Sequence, residues 1–424
     1  MLERTISKTI LKVSSAWPVL LLTGPRQAGK SSVLNMLKEK KRKYVSLDDL
    51  SMRDFALNDP RAFIQKYEPP VIIDEVQYAP NLFSYIKIWV DEHRFEYLMG
   101  NRKKSKGKIK PEDPSGAFWL TGSQKFSLMK GIQESLAGRI AIIDLLGLSY
   151  KEINGKSMES KPFWPDAVDM HKKTEKRTVM QVYNDIWNGS FPELIVNPAV
   201  GRSRFYSSYI QTYIERDVKD YQGAVDELKF YKFVRAVAVR TGNLVNYEDL
   251  ARDCDIDRRT TQKWMDTLHA SGLVYLLPPY FPNLTNRIIK TPKVYFLDTG
   301  LACFLASIDT PEALEASYLS GAMLETYALI EILKSFWHNG KDTRGLCFYR
   351  DANKKEIDFI LEKNMTLYPM EVKKSTSPDR NHCDNFSVIE SLKKTSGKGA
   401  LLCLCPEIMP LPKTNALAVP VWEI

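Results

Sequence analysis

The residues with the clearest chemical potential lie near the start of the chain, where a glycine-framed loop follows three leucines. Leu20–Leu22 predict the end of a buried strand, and Val33–Lys40 predict a helix. The loop between them has the complete pattern G-x-x-x-x-G-K-S in the strand–loop–helix context of a phosphate-binding loop. Its residues are Gly24, Pro25, Arg26, Gln27, Ala28, Gly29, Lys30, Ser31 and Ser32. The glycines allow a close backbone approach, and the N–H groups of the loop and of the helix start face the phosphates.

Two side chains of this loop have predicted roles toward a nucleoside triphosphate. Lys30 is expected to meet the β- and γ-phosphates, and the Ser31 hydroxyl is expected to ligate Mg²⁺. An ordinary glycine-rich turn is the alternative, but the strand, the spacing and the Lys-Ser pair all favour nucleotide binding. The sequence therefore predicts a site for ATP and Mg²⁺.

Two later strands are predicted to complete this site. Three apolar residues precede Asp74 and Glu75, about 40 residues after the phosphate loop, as in a buried parallel strand with acids at its carboxyl end. We expect Asp74 to hold Mg²⁺, directly or through water, and Glu75 to act as the general base on the attacking water. A further apolar strand ends in Ser123 and Gln124, which are candidates for sensing the γ-phosphate.

Arg139 is a candidate for stabilising transition-state charge, and it would act on the nucleotide of a neighbouring subunit. A structural salt bridge is the alternative that the sequence leaves open. The oligomeric state is open for the same reason.

A second chemical constellation lies in the last quarter of the chain. Two predicted hairpin strands carry Asp358, Glu371 and Lys373, and the last two share a face because strand side chains alternate with period two. Two carboxylates can hold Mg²⁺, and a nearby lysine can orient a water or steady a pentavalent phosphate. A preceding helix supplies Glu325. The pattern resembles the restriction-endonuclease-type fold with a PD-(D/E)-x-K site, but no proline precedes Asp358, so we expect the fold with weak or missing cleavage.

The elements that position these residues belong to a globular chain of 424 residues with 44% hydrophobic residues and a formal net charge of +9. The charge favours a polyanion such as DNA or RNA as a partner, with a solvated basic surface as the alternative. Residues 101–110 carry six basic side chains within a longer insertion over residues 99–116. The six cysteines show no paired ligand spacing, and neither a signal peptide nor a membrane span is predicted, so we expect a reduced, cytoplasmic protein.

The middle of the chain predicts a winged helix-turn-helix. Three helical patterns and a strand follow one another over residues 228–277, and the third helix carries Arg258, Arg259, Gln262 and Lys263. This helix is a candidate for reading a major groove. A protein-binding version of the same fold remains an equal alternative.

Residues 20–150 resemble the AAA-type ATPases of bacteria and archaea. They resemble most the group with a G-P-R-Q-x-G-K loop, an I-D-E-x-Q strand and an L-T-G-S-Q strand. In this chain the three patterns begin at Gly24, Ile73 and Leu120. That group carries an appended C-terminal domain of unknown function. The pattern K-x-Y-F-x-D-T-G-L, which begins at Lys293, is similar to that domain.

The predicted fold class is α/β, with a P-loop AAA-type parallel sheet, a winged helix-turn-helix and a small restriction-endonuclease-like domain. The predicted domains are the ATPase over residues 1–150, a helical lid or connection over 151–225, the winged helix over 226–300 and the nuclease-like domain over 301–424. We expect Mg²⁺-dependent ATP hydrolysis coupled to nucleic-acid contact. An ATP-gated nuclease and a nucleotide-switched scaffold for a protein partner remain alternatives.

Overall fold

The computed structural model describes residues 2–102, 113–123, 135–213, 226–281, 291–392 and 394–424. Two compact units are formed. The first comprises the residues up to Gly147 together with Trp337–Gly340, and the second comprises Leu148–Phe336 with Lys341–Ile424. The three domains predicted after residue 150 therefore lie in one compact unit, and their separate boundaries remain predictions. Gln124 and most of the basic insertion lie outside the described residues.

The first unit is built on a five-stranded sheet in the order β2-β3-β4-β1-β5, in which every pairing is parallel. The strands are β1 Val19–Thr23, β2 Lys43–Ser46, β3 Val71–Asp74, β4 Phe118–Gly122 and β5 Ile140–Asp144. Because β4 lies between β3 and β1, the carboxyl ends of these three strands meet at one edge. The phosphate loop and the predicted acidic residues are thereby brought to the same edge.

Both faces of this sheet are covered, as the continuous apolar runs of its strands require. Val19 and Leu21 enter one apolar core, whereas Leu20 and Leu22 enter the other. Among the described residues, the helices of this unit are Ile6–Ser14, Lys30–Leu37, Leu50–Asn58, Pro60–Lys66 and Leu82–Arg102. Asp59 separates two of these helices, since its carboxylate caps the helix that begins at Pro60 by accepting from the Ala62 N–H at 2.9 Å.

The second unit contains a three-stranded antiparallel sheet in the order β6-β8-β7. Its strands are β6 Asn243–Leu244, β7 Val274–Leu277 and β8 Lys293–Phe296. The helices that precede or separate them are Glu227–Ala238, Tyr247–Cys254 and Arg258–Ala270. Asn246 is the N-cap of the second of these helices, because its side chain accepts from the Asp249 N–H.

A larger sheet in the same unit has the path β14-β15-β13-β11-β10-β9, with β12 paired to β11. The strands are β9 Leu346–Arg350, β10 Glu356–Lys363, β11 Thr366–Lys373, β12 Thr395–Ser396, β13 Gly399–Cys403, β14 Met409–Pro410 and β15 Ala416–Pro420. The predicted hairpin is confirmed, since β10 and β11 are antiparallel neighbours in which Phe359 pairs with Met370. Asp358 and Glu371, each one residue from this pair, therefore lie at the same end of the hairpin.

The structure describes further helices in the second unit. They are Tyr150–Ile153, Val179–Asn188, Pro192–Val196, Arg202–Tyr213, Thr299–Leu305, Pro311–Ala316, Ser320–Trp337 and Val388–Ser391. Asp298 caps the helix that begins at Thr299 and also accepts hydrogen bonds from the Ser190 N–H at 2.7 Å and from the Tyr206 hydroxyl at 2.8 Å. Asp298 thereby joins three segments of the unit.

The six cysteines are all buried free thiols. Within the described ranges, no helix is both long and apolar enough to cross a membrane.

Candidate functional site

The phosphate loop lies between the fully buried strand β1 and the helix that starts at Lys30. Gly24 adopts a φ of +143°, and a Cβ atom at this position would lie 2.0 Å from the carbonyl oxygen of Leu145. Gly29 precedes the helix in the left-handed conformation, with φ 90°. Both framing glycines are therefore required by the backbone path as well as by the space that a phosphate needs.

The Lys30 ammonium lies over the loop that precedes it. Its Nζ donates to the carbonyl oxygens of Gly24 at 2.9 Å and Pro25 at 2.8 Å, and the residue is buried. These contacts place a positive charge directly beside the loop backbone. An incoming phosphate would meet this charge together with the loop N–H groups.

Asp74, at the end of β3, is the centre of a buried hydrogen-bond network. Its Oδ1 accepts from the Ser31 hydroxyl at 2.7 Å and also from the Thr121 hydroxyl, while its Oδ2 accepts from the Tyr44 hydroxyl at 2.8 Å. The structure thus brings together the two predicted Mg²⁺ ligands, Ser31 and Asp74. A hydroxyl and a carboxylate oxygen side by side are the donor set that Mg²⁺ uses at such sites.

Tyr44 and Thr121 are members of this network that the sequence did not reveal. Burial, followed by the hydrogen bond to Asp74, raises the pKa of Tyr44 well above its usual value, so the phenol keeps its proton and donates it. The hydroxyl therefore fixes the orientation of the Asp74 carboxylate. The only sequence signal for Tyr44 is its place in a strand that turns out to pair with β3.

Glu75 directly follows β3 with φ 56°, in the left-handed region that non-glycine residues rarely adopt. Its N–H donates to the Thr121 hydroxyl at 3.1 Å, and its Oε2 accepts from the Gln77 amide and from the Ser123 hydroxyl at 3.4 Å. The predicted base and one predicted γ-phosphate sensor are therefore in contact. The unusual backbone conformation points to a position whose geometry is fixed by its surroundings.

Arg139 makes a two-pronged ion pair in the same unit. Its Nε lies 2.5 Å from Asp91 Oδ1 and its Nη2 lies 2.9 Å from Asp91 Oδ2. This bond raises the pKa of Arg139. The structure therefore places Arg139 in the salt bridge that the sequence left open, while a role toward a neighbouring subunit stays a prediction.

The predicted nuclease-like residues also come together, in the second unit. Glu371 Oε1 accepts from the Lys373 ammonium at 2.7 Å, and Glu371 Oε2 lies 3.5 Å from the Asp358 N–H. Glu325 lies on the helix Ser320–Trp337. Burial and then the nearby charge of Asp358 raise the pKa of Glu325. Burial is the largest cause, and the pKa reaches about 7 in Glu325 and about 8 in Glu371. We name Glu325, Glu356, Asp358 and Glu371 the carboxylate cluster.

A buried lysine from another sheet enters the carboxylate cluster. Lys293 Nζ lies 2.6 Å from Glu356 Oε1, 3.1 Å from Glu325 Oε1 and 3.8 Å from Asp358 Oδ1. Among the residues that the structure describes, no three His, Cys, Asp or Glu side chains are placed to hold a metal ion. The sequence indicated neither Lys293 nor Glu356 as part of this group.

Three family models match successive parts of the chain. A model described as AAA domain matches residues 16–154. One described as domain of unknown function (DUF8612) matches residues 180–312, and one described as domain of unknown function (DUF4143) matches residues 320–424. The AAA-domain match and the parallel five-stranded sheet together support an AAA-type P-loop ATPase with a C-terminal DUF4143 domain. The predicted resemblance to AAA-type ATPases is confirmed at this level, and it suggests ATP binding and hydrolysis.

Relatives are found in bacteria and archaea. The uncharacterized protein Rv2008c of Mycobacterium tuberculosis is 26% identical over 362 residues, which are 85% of this chain and 71% of that protein. The uncharacterized protein MJ1544 of Methanocaldococcus jannaschii is 20% identical over 360 residues, 81% of this chain and 72% of that protein. Among solved structures, the Walker-type ATPase PABY2304 of Pyrococcus abyssi is 15% identical, with a TM-score of 0.42, over 72% of this chain and 96% of that chain.

Proposed function

We propose that this chain is a Mg²⁺-dependent ATPase whose nucleotide state is coupled to contact with nucleic acid. The observation that carries the ATPase part is the hydrogen bond of 2.7 Å between the phosphate-loop Ser31 and Asp74 at the end of β3. These two oxygens would hold Mg²⁺, and Lys30 would bind the β- and γ-phosphates. Glu75, one residue further, would take the proton of the attacking water, with Ser123 beside it.

The nucleic-acid part of the proposal is supported by the helix Arg258–Ala270. Its inner face buries Trp264, Met265 and Leu268, whereas Arg259 and Gln262 are exposed on the outer face. Three helices with a three-stranded antiparallel sheet are typical of a winged helix. Exposed cationic and amide side chains on the third helix are the groups that read base edges and phosphates.

The experiment is a steady-state ATPase measurement on the full chain with DNA, with RNA and without nucleic acid. Lys30→Ala should abolish turnover and weaken nucleotide binding, because the phosphate charges lose their counter-ion. Glu75→Gln should retain binding and stop turnover, because only the base is lost. Wild-type turnover in Glu75→Gln would refute the assignment of the base, and equal turnover in all three conditions would refute the coupling to nucleic acid.

DNA affinity separates this proposal from the scaffold alternative. Binding by the exposed face of the third helix should weaken steeply with salt, because phosphate contacts release counter-ions. Arg259→Ala should lower the affinity and reduce the salt slope, and Arg344→Ala is the matched control, since its guanidinium is exposed and pairs with Asp342. If neither DNA nor RNA binds, a protein partner becomes the better explanation of this fold.

A further inference from the structure

The carboxylate cluster receives its positive charge from a distant part of the chain. Lys293 lies on β8, whose neighbours are β6 and β7, whereas Asp358 and Glu371 lie on the β10–β11 hairpin of the other sheet. The side chain of Lys293 is only 4% exposed. A buried ammonium is retained only where it is paired, so its position between carboxylates accounts for its burial.

Two of the oxygen atoms around Lys293 belong to the predicted metal ligands Asp358 and Glu325. Asp358 Oδ2 is occupied by the N–H of Val372 at 2.9 Å, which leaves Oδ1 toward Lys293. Glu325 Oε1 accepts from Lys293 and from the Tyr295 hydroxyl. Glu325 Oε1 is therefore bonded to Lys293 directly, and Asp358 Oδ1 has the same ammonium 3.8 Å away.

Lys293 is held in its charged form by these neighbours. Its Nζ has a carboxylate oxygen of Glu356, Glu325 and Asp358 within 2.6, 3.1 and 3.8 Å, which is the environment that a buried ammonium requires. A second cation at the same oxygens would have to approach this ammonium within a few ångströms. The repulsion between them, among largely buried side chains, opposes metal binding.

We propose that Lys293 is the built-in cation of the carboxylate cluster and closes the nuclease-like centre of this chain to divalent metal ions. The lysine contributes the charge that Mg²⁺ would otherwise supply. The cluster then stabilises the junction of β8 with the β10–β11 hairpin and does not activate water. This inference is independent of the proposed ATPase, because it concerns a different unit of the chain.

The test measures Mn²⁺ binding to the nucleotide-free full chain. Binding is detected by calorimetry and by the loss of the free-ion spectrum in electron paramagnetic resonance. Lys293→Met keeps the length of the side chain and removes its charge, so it should gain one Mn²⁺ site at least about tenfold tighter than any site of the wild type. Adding Asp358→Asn to this variant should remove the new site. Lys394→Met is the matched control, because Lys394 pairs with one carboxylate, Glu362, at 3.3 Å.

The wild type and Asp358→Asn provide a second comparison that does not depend on the folding of the lysine variant. Both should bind Mn²⁺ equally. Loss of a Mn²⁺ site in Asp358→Asn alone would overturn the proposal, since it would show that the cluster binds metal with Lys293 present. A folded Lys293→Met chain, checked by circular dichroism, that gains no site would overturn it as well and would leave Lys293 with a purely structural role.

Discussion

Replacing Tyr44 by phenylalanine removes one hydroxyl from the candidate ATPase site and changes little else. The lost hydrogen bond joins the phenol to Asp74 Oδ2 at 2.8 Å. Hydrogen bonds to charged groups contribute about 1.5–3 kcal/mol. Tyr44 is 38% exposed, so water replaces part of the interaction and the lower end of that range applies. About 1.4 kcal/mol corresponds to a tenfold change in rate or in affinity.

We expect Tyr44→Phe to need about tenfold more Mg²⁺ for half-maximal ATPase rate, because the Asp74 carboxylate is no longer fixed in the orientation that faces Ser31. The assay is the ATPase rate at saturating ATP over a series of Mg²⁺ concentrations. Tyr67→Phe is the control, since its hydroxyl contacts the Met52 sulfur at 3.0 Å in the same unit. An unchanged Mg²⁺ dependence in Tyr44→Phe would refute the orienting role, whereas an active Lys30→Ala chain would refute the ATPase proposal itself.

Three further predictions concern ion pairs and buried carboxylates. Arg139→Ala and Asp91→Asn should both lower the melting temperature, because they break the same ion pair. A fall in ATPase rate seen only in Arg139→Ala, and restored by mixing with Lys30→Ala, would instead show action on a neighbouring subunit. Asp298→Ala should lower the free energy of unfolding by about 3 kcal/mol, since it removes a helix cap and leaves the buried Ser190 N–H unpaired; a loss below about 1 kcal/mol in urea unfolding would contradict this. Burial raises the pKa of Glu371 from 4.5 to about 8, so the folded chain binds this proton more tightly than the unfolded chain does. The free energy of unfolding should therefore fall as the pH rises from 5 to 8. Urea titrations should show a smaller fall in Glu371→Gln.

The sequence predicted those parts of the fold whose signals are local. The phosphate loop reads as strand, loop and helix within a short stretch, and the β10–β11 hairpin reads as two alternating strands joined by a turn. In both, the residues that act together are separated by few positions, so spacing alone places Ser31 on its helix and Asp358 beside Glu371.

Tyr44 and Lys293 could not be found in this way, because their roles depend on which strands become neighbours. Tyr44 acts on Asp74 only because β2 pairs with β3. Lys293 acts on Asp358 across 65 positions of sequence and from another sheet. The motif that begins at Lys293 also contains Asp298, which caps the next helix.

The position of Lys293 has a consequence for anyone who divides this chain into fragments. The DUF4143 match covers residues 320–424, so a fragment with those limits contains all four carboxylates of the cluster and lacks Lys293. Such a fragment would have an anionic cavity open to solvent, and it would take up Mn²⁺ or become unstable through the repulsion of its own charges. Metal binding or cleavage measured on the fragment would then be a property created by the cut, and it should be repeated on a protein that begins before β8.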